Sequence, residues 1–418
     1  MVRIHNEGVT VRLYHRDAYL RAFEANVIAL RGGDAGGPGI ALAETAFYPE
    51  AGGQPPDWGE VGGLAVRDVR DEDGTIWHHV PDAATLPSPG ARVTGAIDWE
   101  RRFDHMQQHT GQHILSQAFL QTTGAQTLSV HMVKTCTIDI DASSLEAGAL
   151  VRAEELANTV IMENRPVTTR EVDLDGAVGL GLRRPPKQTG LIRVVEVEGF
   201  DRSACGGTHV RATGEVGPIS VREAERYKGG LRVEFLCGWR ALHDARRARG
   251  VVRDLAGQFT VGEAELSDAV ARLRDRARDG ERALAEARLV LLQHEAAAML
   301  PTAPEAAGSA TVIAVVFADR PMDELRALAR AVTGQRAAVV IFATDPDRRV
   351  LVARSPSVAA DAASILREAL AGFNGRGGGR PDAAEGIAAG APSARAVVDA
   401  AAAIAGRHLA PPSGGGTP

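Results

Sequence analysis

Long apolar runs and a secretory signal are both missing from this 418-residue sequence. No stretch has the roughly 20 consecutive apolar residues that a membrane-spanning helix needs. The first twenty residues, MVRIHNEGVTVRLYHRDAYL, lack the order of basic, apolar and small residues that marks a secretory signal. These two absences predict a cytoplasmic protein that does not enter a membrane.

Cysteine is also scarce, because the chain has only Cys136, Cys205 and Cys237. Three cysteines cannot form a disulfide framework, and in a reducing compartment a cysteine near histidines is more often a metal ligand or a core residue. An excess of basic residues is missing as well, since the formal net charge is -6. This charge excludes a protein coated in positive groups, although a local basic patch is enough for phosphate contacts.

The sequence does contain enough hydrophobic residues, 44%, to fill two or three cores. Residues 1–95 carry short β-type runs separated by glycine, which predict a small β-barrel. Residues 96–240 alternate helical and strand patterns and predict an α+β domain, whose first helix has Asp98 as its N-cap. The first half therefore predicts two joined domains of an α+β multi-domain protein.

The second half has different patterns. Residues 241–300 predict a helical hairpin resembling a coiled coil, because apolar or small residues recur at steps of three and four: Val270, Leu273, Ala277, Gly280, Leu284, Ala287 and Leu291. Residues 301–410 begin with a linker and continue as alternating strands and helices, which predict a C-terminal α/β domain. Residues 411–418, PPSGGGTP, predict a disordered tail.

Two short motifs carry side chains that bind transition metals. In HTGQH, His109 and His113 are four residues apart and can address one ion from the same face of a helix. In CGGTH, glycines let a loop bring Cys205 and His209 to one point. One thiolate and three imidazoles are an ordinary zinc set, so the motifs predict one Zn²⁺ per chain. The alternative is a small buried cysteine and an unrelated loop histidine.

Other zinc sites fit these motifs less well. A helical metalloprotease has a glutamate after its first histidine as general base, and here that residue is Thr110. A structural zinc usually has paired Cys-x-x-Cys or Cys-x-x-His knuckles, whereas these two pairs are remote in the sequence. The motifs favour a hydrolytic site in a cleft, which needs no redox metal.

Several stretches resemble the editing region of alanyl-tRNA synthetase and the free-standing alanyl-tRNA editing proteins related to it. They are TAFYPEAGGQPPDWGEV, HTGQHILSQ and GFDRSACGGTHVRATGEVGPISVREAERYKGGLRVEFLCG, while GRGGGRPDAAEG resembles the glycine-rich stretch of the synthetase's C-terminal domain. Because the chain begins at the barrel, the resemblance is to the long free-standing proteins. It implies a zinc-dependent hydrolase that acts in trans and deacylates tRNA(Ala) mischarged with serine, and also with glycine.

The chemistry that this resemblance implies is compatible with the motifs. A zinc-associated water can act as nucleophile near neutral pH, so a strong protein base is not demanded. If all four ligands bind at once, attack requires a five-coordinate state, loss of one ligand, or a water held by neighbouring groups, and these alternatives stay open. Gln112 is a candidate for substrate positioning, with a solvated side chain as its alternative.

Substrate recognition needs further side chains. A polar group that bonds the seryl hydroxyl is left unpaired by alanine, and Thr45 is the candidate for this role. Its alternative is a strand residue whose hydroxyl bonds a neighbouring carbonyl. For tRNA phosphates the candidates, each with a solvated loop residue as its alternative, are Arg183, Arg184, Lys187, Arg193, Arg376 and Arg380. The resemblance also implies tRNA binding and a homodimer through the C-terminal half.

Two other functions remain open at this stage. In one, zinc is structural and the chain is a non-catalytic tRNA-binding protein or docks on a synthetase. In the other, the chain is a zinc hydrolase that acts on a small acyl ester and does not need tRNA.

Overall fold

The chain folds into two compact units, Met1–Gln258 and Phe259–Pro418. The computed structural model describes residues 3–4, 9–32, 37–81, 86–133, 135–185, 190–301 and 310–410. Within these ranges no helix has the length and apolar character that crossing a membrane requires. The predicted tail, residues 411–418, lies outside the described residues.

The first unit opens with short strands. In chain order its elements up to residue 97 are β1 (Arg3–Ile4), β2 (Val11–Arg12), α1 (Leu13–Arg16), β3 (Ala22–Arg31), β4 (Gly39–Leu42), β5 (Glu44–Thr45), β6 (Gly59–Val61), β7 (Leu64–Val66), β8 (Asp68–Glu72), β9 (Thr75–His79) and β10 (Arg92–Ile97). Most of them form one antiparallel sheet in the order β7-β6-β10-β3-β4-β9-β8, with β1 also paired to β3. The outer strands β7 and β8 are separated in the chain by Arg67 alone, so the sheet curls into a nearly closed barrel. The predicted barrel is confirmed in this form.

Helices and two further sheets complete this unit. Its other elements are α2 (Trp99–Thr123), β11 (Thr127–Met132), β12 (Cys136–Ile140), α3 (Ala149–Met162), β13 (Val167–Val172), α4 (Leu174–Gly179), β14 (Ile192–Val197), β15 (Asp201–Ala204), a 3-10 turn (Thr213–Val216), β16 (Ile219–Tyr227), β17 (Gly230–Cys237) and α5 (Gly238–Phe259). One sheet has the order β11-β12-β17-β16 and the other β13-β14-β15. Side chains of α2 and α3 share one core with both sheets.

The second unit is built around a mixed sheet. Its elements are a 3-10 turn (Glu263–Glu265), α6 (Leu266–Met299), β18 (Thr311–Ala318), α7 (Met322–Gln335), β19 (Ala338–Asp345), β20 (Arg349–Arg354), α8 (Ala362–Ala371), β21 (Arg376–Gly379), β22 (Ala383–Ile387) and α9 (Ala394–Leu409). The sheet order is β18-β19-β20-β22-β21. Alternate residues of β19 face two cores, one with α8 and α9 and the other with α6 and α7.

The predicted hairpin region contains two helices, α5 and α6. In α6 the apolar stripe predicted as a coiled-coil seam is largely uncovered, since Val270 is 47% exposed and Leu291 67%. A pairing partner for this stripe therefore stays a prediction. The C-terminal motif GRGGGRPDAAEG, by contrast, forms the antiparallel hairpin of β21 and β22, which its glycine-rich sequence does not predict.

Candidate metal centre

Helix α2 carries the first candidate metal ligands through the interior of its unit. The carboxylate of Asp98 accepts a hydrogen bond from the backbone N–H of Arg101 at 3.2 Å, which confirms the predicted N-cap, and Gly124 ends the helix at a φ of 75°. Gly111 allows a close approach to β17, because a Cβ there would lie 2.3 Å from the Sγ of Cys237. The helix is therefore enclosed around its metal-ligand turn.

An ion pair without solvent exposure ties α2 to the barrel. Arg102 and Asp57 are both fully buried and form a salt bridge. Arg102 also donates to the carbonyl oxygens of Ala18, at 2.9 Å, and Ala46, at 2.5 Å. Breaking a buried pair of this kind typically costs about 3–5 kcal/mol, so the barrel and the helix hold a defined relative position.

The structure brings all four candidate ligands together. His109, His113 and His209 are each 4% exposed, and Cys205 is half-buried at the end of β15. The Sγ of Cys205 lies 3.2 Å from Nε2 of His109 and 3.3 Å from Nε2 of His209. One ligand atom from each of the four residues lies within 4.8 Å of the others. Ligand atoms around a tetrahedral zinc lie about 3.3–3.6 Å apart, from zinc bond lengths of about 2.0–2.3 Å. The two distances from Cys205 are close to this spacing, and one thiolate with three imidazoles is a donor set that zinc binds.

Each of the three imidazoles is oriented by a second side chain. The Nδ1–H of His109 donates to Oε1 of Gln54 at 2.7 Å, and the Nδ1–H of His113 donates to Oδ2 of Asp201 at 3.1 Å. The Nδ1 of His209 lies 3.1 Å from the hydroxyl oxygen of Thr110, within hydrogen-bond distance. With every Nδ1 engaged in this way, Nε2 is the ring atom that a neutral imidazole presents to a metal. Support of metal-binding histidines by carboxylate, carbonyl or hydroxyl groups is the usual arrangement.

The electrostatics of the cluster favour a thiolate. Burial raises the pKa of the Cys205 thiol, but His109 and His209 outweigh burial and hold it well below its ordinary value. Burial lowers the pKa of His113, but hydrogen bonds to Asp201 and Cys205 outweigh it and raise the pKa to about 9. A thiolate is the form of cysteine that binds metals.

The loop between Cys205 and His209 requires glycine at position 207, because the His109 ring leaves no space for a side chain there. A Cβ at Gly207 would lie 2.1 Å from the His109 ring. The amide of Gln54 also reaches this loop, since its Nε2 donates to the Thr208 hydroxyl at 2.9 Å and its Oε1 accepts from the Thr208 N–H at 3.2 Å. Gln54 therefore joins the barrel, the His109 ring and the loop.

Two arginines predicted to contact tRNA phosphate make contacts that support the cluster. Arg183 is 11% exposed at its side chain and pairs with Asp201 at 3.0 Å. Arg193 donates through Nη1 to the carbonyl oxygens of Cys205, at 2.8 Å, and Gly207, at 2.9 Å. These contacts hold both guanidinium groups against the cluster, and direct phosphate contact by either residue stays a prediction.

The other predicted tRNA contacts are placed differently. Arg184 is exposed and donates to the carbonyl of Thr127 at 2.7 Å. Lys187 lies outside the described residues. In the second unit Arg376 and Arg380 are both exposed, and Arg380 pairs with Asp382 at 3.2 Å.

Gln112 is buried, so the alternative of a solvated side chain does not hold. Its side chain is 4% exposed, and its Nε2 donates to Ser116 Oγ at 2.8 Å. The same Oγ accepts from the hydroxyl of Thr127 at 2.7 Å. In the sequence Gln112 lies between His109 and His113, and its hydrogen bond to Ser116 of the same helix holds its side chain in place.

Thr45 lies in the barrel without solvent exposure. Its Oγ1 is 2.8 Å from Nε2 of His78 and accepts from the N–H of Phe47 at 3.1 Å. His78 donates its Nδ1–H to the carbonyl of Ile40 at 2.9 Å, so its Nε2 accepts from the Thr45 hydroxyl. The Thr45 hydroxyl therefore bonds the His78 ring and the backbone amide of Phe47. The alternative role of a strand residue had its hydroxyl bonded to a neighbouring carbonyl, which is not the arrangement found.

Gln54, Thr110 and Asp201 are site residues that the sequence patterns did not identify. In the sequence, Thr110 and Asp201 are marked only by their proximity to the metal motifs, and Gln54 only by its place directly after Gly52 and Gly53. Thr110 lies inside HTGQH and Asp201 lies four residues before Cys205.

Known proteins resemble this chain over most of its length. Residues 192–234 match the family model of the threonyl and alanyl tRNA synthetase second additional domain, and residues 309–407 match the DHHA1 domain model. The alanyl-tRNA editing protein AlaX-L of Pyrococcus horikoshii is 30% identical over 386 residues, which cover 90% of this chain and 94% of that protein. The alanyl-tRNA editing protein Aarsd1 of Rattus norvegicus is 32% identical over 282 residues, covering 63% of this chain and 67% of its own length. The alanine–tRNA ligase of Pyrococcus abyssi is 30% identical, and the match covers 90% of this chain but 42% of the ligase.

Proposed function

Because the chain belongs to the family of alanyl-tRNA editing proteins, we propose that it hydrolyses the ester of mischarged tRNA(Ala) at the candidate metal centre. The proposed substrates are seryl-tRNA(Ala) and glycyl-tRNA(Ala). The observation that carries the proposal is the convergence of four ligand atoms within 4.8 Å of one another, with each imidazole oriented from outside. Such support is the usual arrangement around histidines that bind a metal.

Zinc is the proposed metal, one per chain, held by His109, His113, Cys205 and His209. Zinc bound there supplies Lewis acidity, which favours attack of water on an ester carbonyl near neutral pH. The chain's own residues then orient the ligands and shape the cleft. Gln54 fixes the His109 tautomer, Thr110 fixes that of His209, and Asp201 fixes that of His113.

Gln112 is proposed to position the substrate. It lies one residue before His113, and its amide oxygen is the part of the side chain that its bond to Ser116 leaves available. An amide is neither a general acid nor a general base at neutral pH, so its contribution is orientation.

Selectivity for serine is proposed to depend on the region of Thr45. Bonds to His78 and Phe47 hold its hydroxyl in place. A seryl hydroxyl that bonds this group must replace one of these partners, whereas an alanyl methyl group cannot compensate a lost bond. The barrel interior thus supplies a physical basis for discrimination.

The second unit is proposed to hold tRNA and to form a homodimer. Arg376 and Arg380 on its β21–β22 hairpin are exposed cations, as is Arg184 in the first unit, and all three are proposed phosphate contacts. The uncovered apolar stripe of α6, defined by Val270, Leu273, Leu284 and Leu291, is the proposed dimer contact.

A non-catalytic tRNA-binding protein is the second candidate function. A structural zinc with four protein ligands is closed, and this donor set has four. The supports of all three imidazoles are compatible with both functions, so a measurement of turnover must separate them.

The test compares the wild type with His113→Ala, which removes a ligand, and with His131→Ala, which removes an exposed histidine on β11. Zinc content and single-turnover deacylation of seryl-tRNA(Ala) are measured in all three. We expect His113→Ala to lose zinc and more than about 100-fold of the rate, since loss of a supporting group alone costs about 10–100-fold. His131→Ala should match the wild type.

Full deacylation by a zinc-free His113→Ala protein would end the proposal of metal-dependent hydrolysis. Binding of tRNA without turnover in the zinc-loaded wild type would favour the non-catalytic alternative. Equal hydrolysis of a small seryl ester, with no gain from tRNA, would favour the small-ester hydrolase.

A further inference from the structure

A basic cleft lies in the first unit behind the loop that carries Cys205 and His209. It has a volume of about 470 Å³ and takes its walls from β2, α1, β13 and β14. The ionisable side chains that line it are Arg12, His15, Arg16, Arg170, Glu171 and Arg193. Only Arg193 among them belongs to the basic residues that the sequence patterns singled out.

The charge of this cleft favours an anion. Four arginines face one carboxylate in its lining, and two of the arginines have partners at the rim: Arg12 pairs with Asp71 at 2.6 Å and Arg170 with Glu196 at 2.9 Å. Exposed pairs like these contribute little energy and can exchange partners. Arg16 is exposed and has no acceptor within the part of the chain that the structure describes. The cleft therefore keeps an excess of positive charge.

The cleft adjoins the loop from Cys205 to His209, the metal loop, because two side chains of its lining contact that loop. His15 donates through Nε2 to the carbonyl oxygen of Gly206 at 3.1 Å. Arg193 donates to the carbonyl oxygens on either side of it, those of Cys205 and Gly207. The cleft and the loop of the candidate metal centre are thus joined through His15 and Arg193.

We propose that the cleft binds phosphates of the single-stranded 3′ end of the aminoacyl-tRNA. The inference rests on the proposed function, since it places next to the metal centre the nucleotides that carry the ester. The volume of about 470 Å³ lies in the range of small-ligand sites, so it suits individual nucleotides of a single strand better than a paired stem. Arginine is suited to phosphate because its planar group donates two parallel hydrogen bonds.

The experiment uses the full-length protein with Arg16→Ala and Arg170→Ala combined. Its matched control is Arg152→Ala on α3, because Arg152 and Arg170 are 45% and 48% exposed at their side chains and each pairs with one glutamate. The KM and kcat for seryl-tRNA(Ala) are measured at several salt concentrations. We expect the double variant to raise KM about tenfold with kcat within twofold, and Arg152→Ala to leave both unchanged.

Salt dependence gives a second readout. Each phosphate contact of a single strand contributes about 0.7 to the slope of log affinity against log salt, so loss of two contacts should lower that slope by about 1.4. Seryl-adenosine has no phosphate, and the double variant should hydrolyse it at the wild-type rate. An equal loss on seryl-adenosine, or an unchanged slope, would overturn the proposal.

Binding of uncharged tRNA(Ala) separates this proposal from the proposed function. If the wild type deacylates nothing, the proposed function fails, and a tenfold weaker binding of tRNA by the double variant still supports the cleft. If the wild type is active and the double variant binds tRNA with unchanged affinity, the cleft proposal fails and the proposed function stands.

Discussion

Thr45 and His78 are joined by a 2.8 Å hydrogen bond in the interior of the barrel, and neither side chain is exposed. His78 is in turn held by the carbonyl of Ile40 at 2.9 Å. The hydroxyl proposed to take part in serine selectivity is therefore also a structural group, and the two roles make different predictions.

Replacing Thr45 with valine removes this hydroxyl at nearly constant volume. His78 Nε2 and the Phe47 N–H then lose their partner, so we expect the free energy of unfolding to fall by about 1–3 kcal/mol. Urea denaturation measures this loss. Deacylation of seryl-tRNA(Ala) against alanyl-tRNA(Ala), measured well below the unfolding midpoint, should show reduced selectivity. Unchanged selectivity in a folded, zinc-loaded variant would leave Thr45 with the structural role alone.

Stability of the barrel should depend on pH through His78. Burial lowers the pKa of His78 to about 4, whereas an unfolded histidine has a pKa of about 6.5. Between these values the unfolded state binds more protons, so the free energy of unfolding should decrease as pH falls from 6.5 to 4, by up to about 1.4 kcal/mol per pH unit. The difference between wild type and His78→Gln across this range isolates the contribution of His78, because both proteins keep the metal centre. Parallel pH profiles of the two proteins would contradict the prediction.

Thr110→Val should weaken zinc binding without unfolding the helix. The hydroxyl of Thr110 lies 3.1 Å from His209 Nδ1 and accepts from the N–H of Val210 at 3.2 Å, so its loss frees the His209 ring. We expect zinc affinity to fall about 10–100-fold in competition with a chelator. Thr122→Val is the control, because it changes the same residue type on the same helix, where the hydroxyl bonds only the carbonyl of Ala118. Equal zinc affinity in Thr110→Val and Thr122→Val would remove the supporting role of Thr110.

Ending the chain at Gln258 should separate zinc binding from the contribution of the second unit to tRNA affinity. The first unit contains the four candidate ligands and their supporting residues, and it has its own cores. We expect the shortened protein to keep its zinc and to bind tRNA(Ala) more weakly than the full chain. Metal analysis and filter binding measure the two quantities. A folded fragment without zinc would contradict this division.

The candidate ligands could be predicted from the sequence because local rules apply to them. Helical spacing places His109 and His113 on one face, and a short loop limits how far Cys205 and His209 can separate. Their supports do not follow local rules. Gln54 is 55 residues from His109 and Asp201 is 88 residues from His113, so only the folded chain pairs them.

The sequence also did not predict which charged side chains are buried. Arg183, Arg184 and Arg193 together resemble a phosphate-binding patch, yet Arg183 and Arg193 turn inward to Asp201 and to the metal loop. The arginines of the basic cleft come from three separate regions of the chain and form no local cluster. In the second unit, the hairpin of β21 and β22 lacks the alternation of polar and apolar side chains that marks a strand, because much of it is glycine.

The origin of the four candidate ligands in two distant segments sets an order of events during synthesis of the chain. Cys205 follows His109 by 96 residues, and His209 comes later still. A ribosome adding about 5–20 residues per second exposes the second pair about 5–20 s after the first. During that interval the nascent helix offers two histidines, which hold zinc far less tightly than the full set. If the four residues bind zinc as proposed, the complete site therefore forms only after His209 has been synthesised.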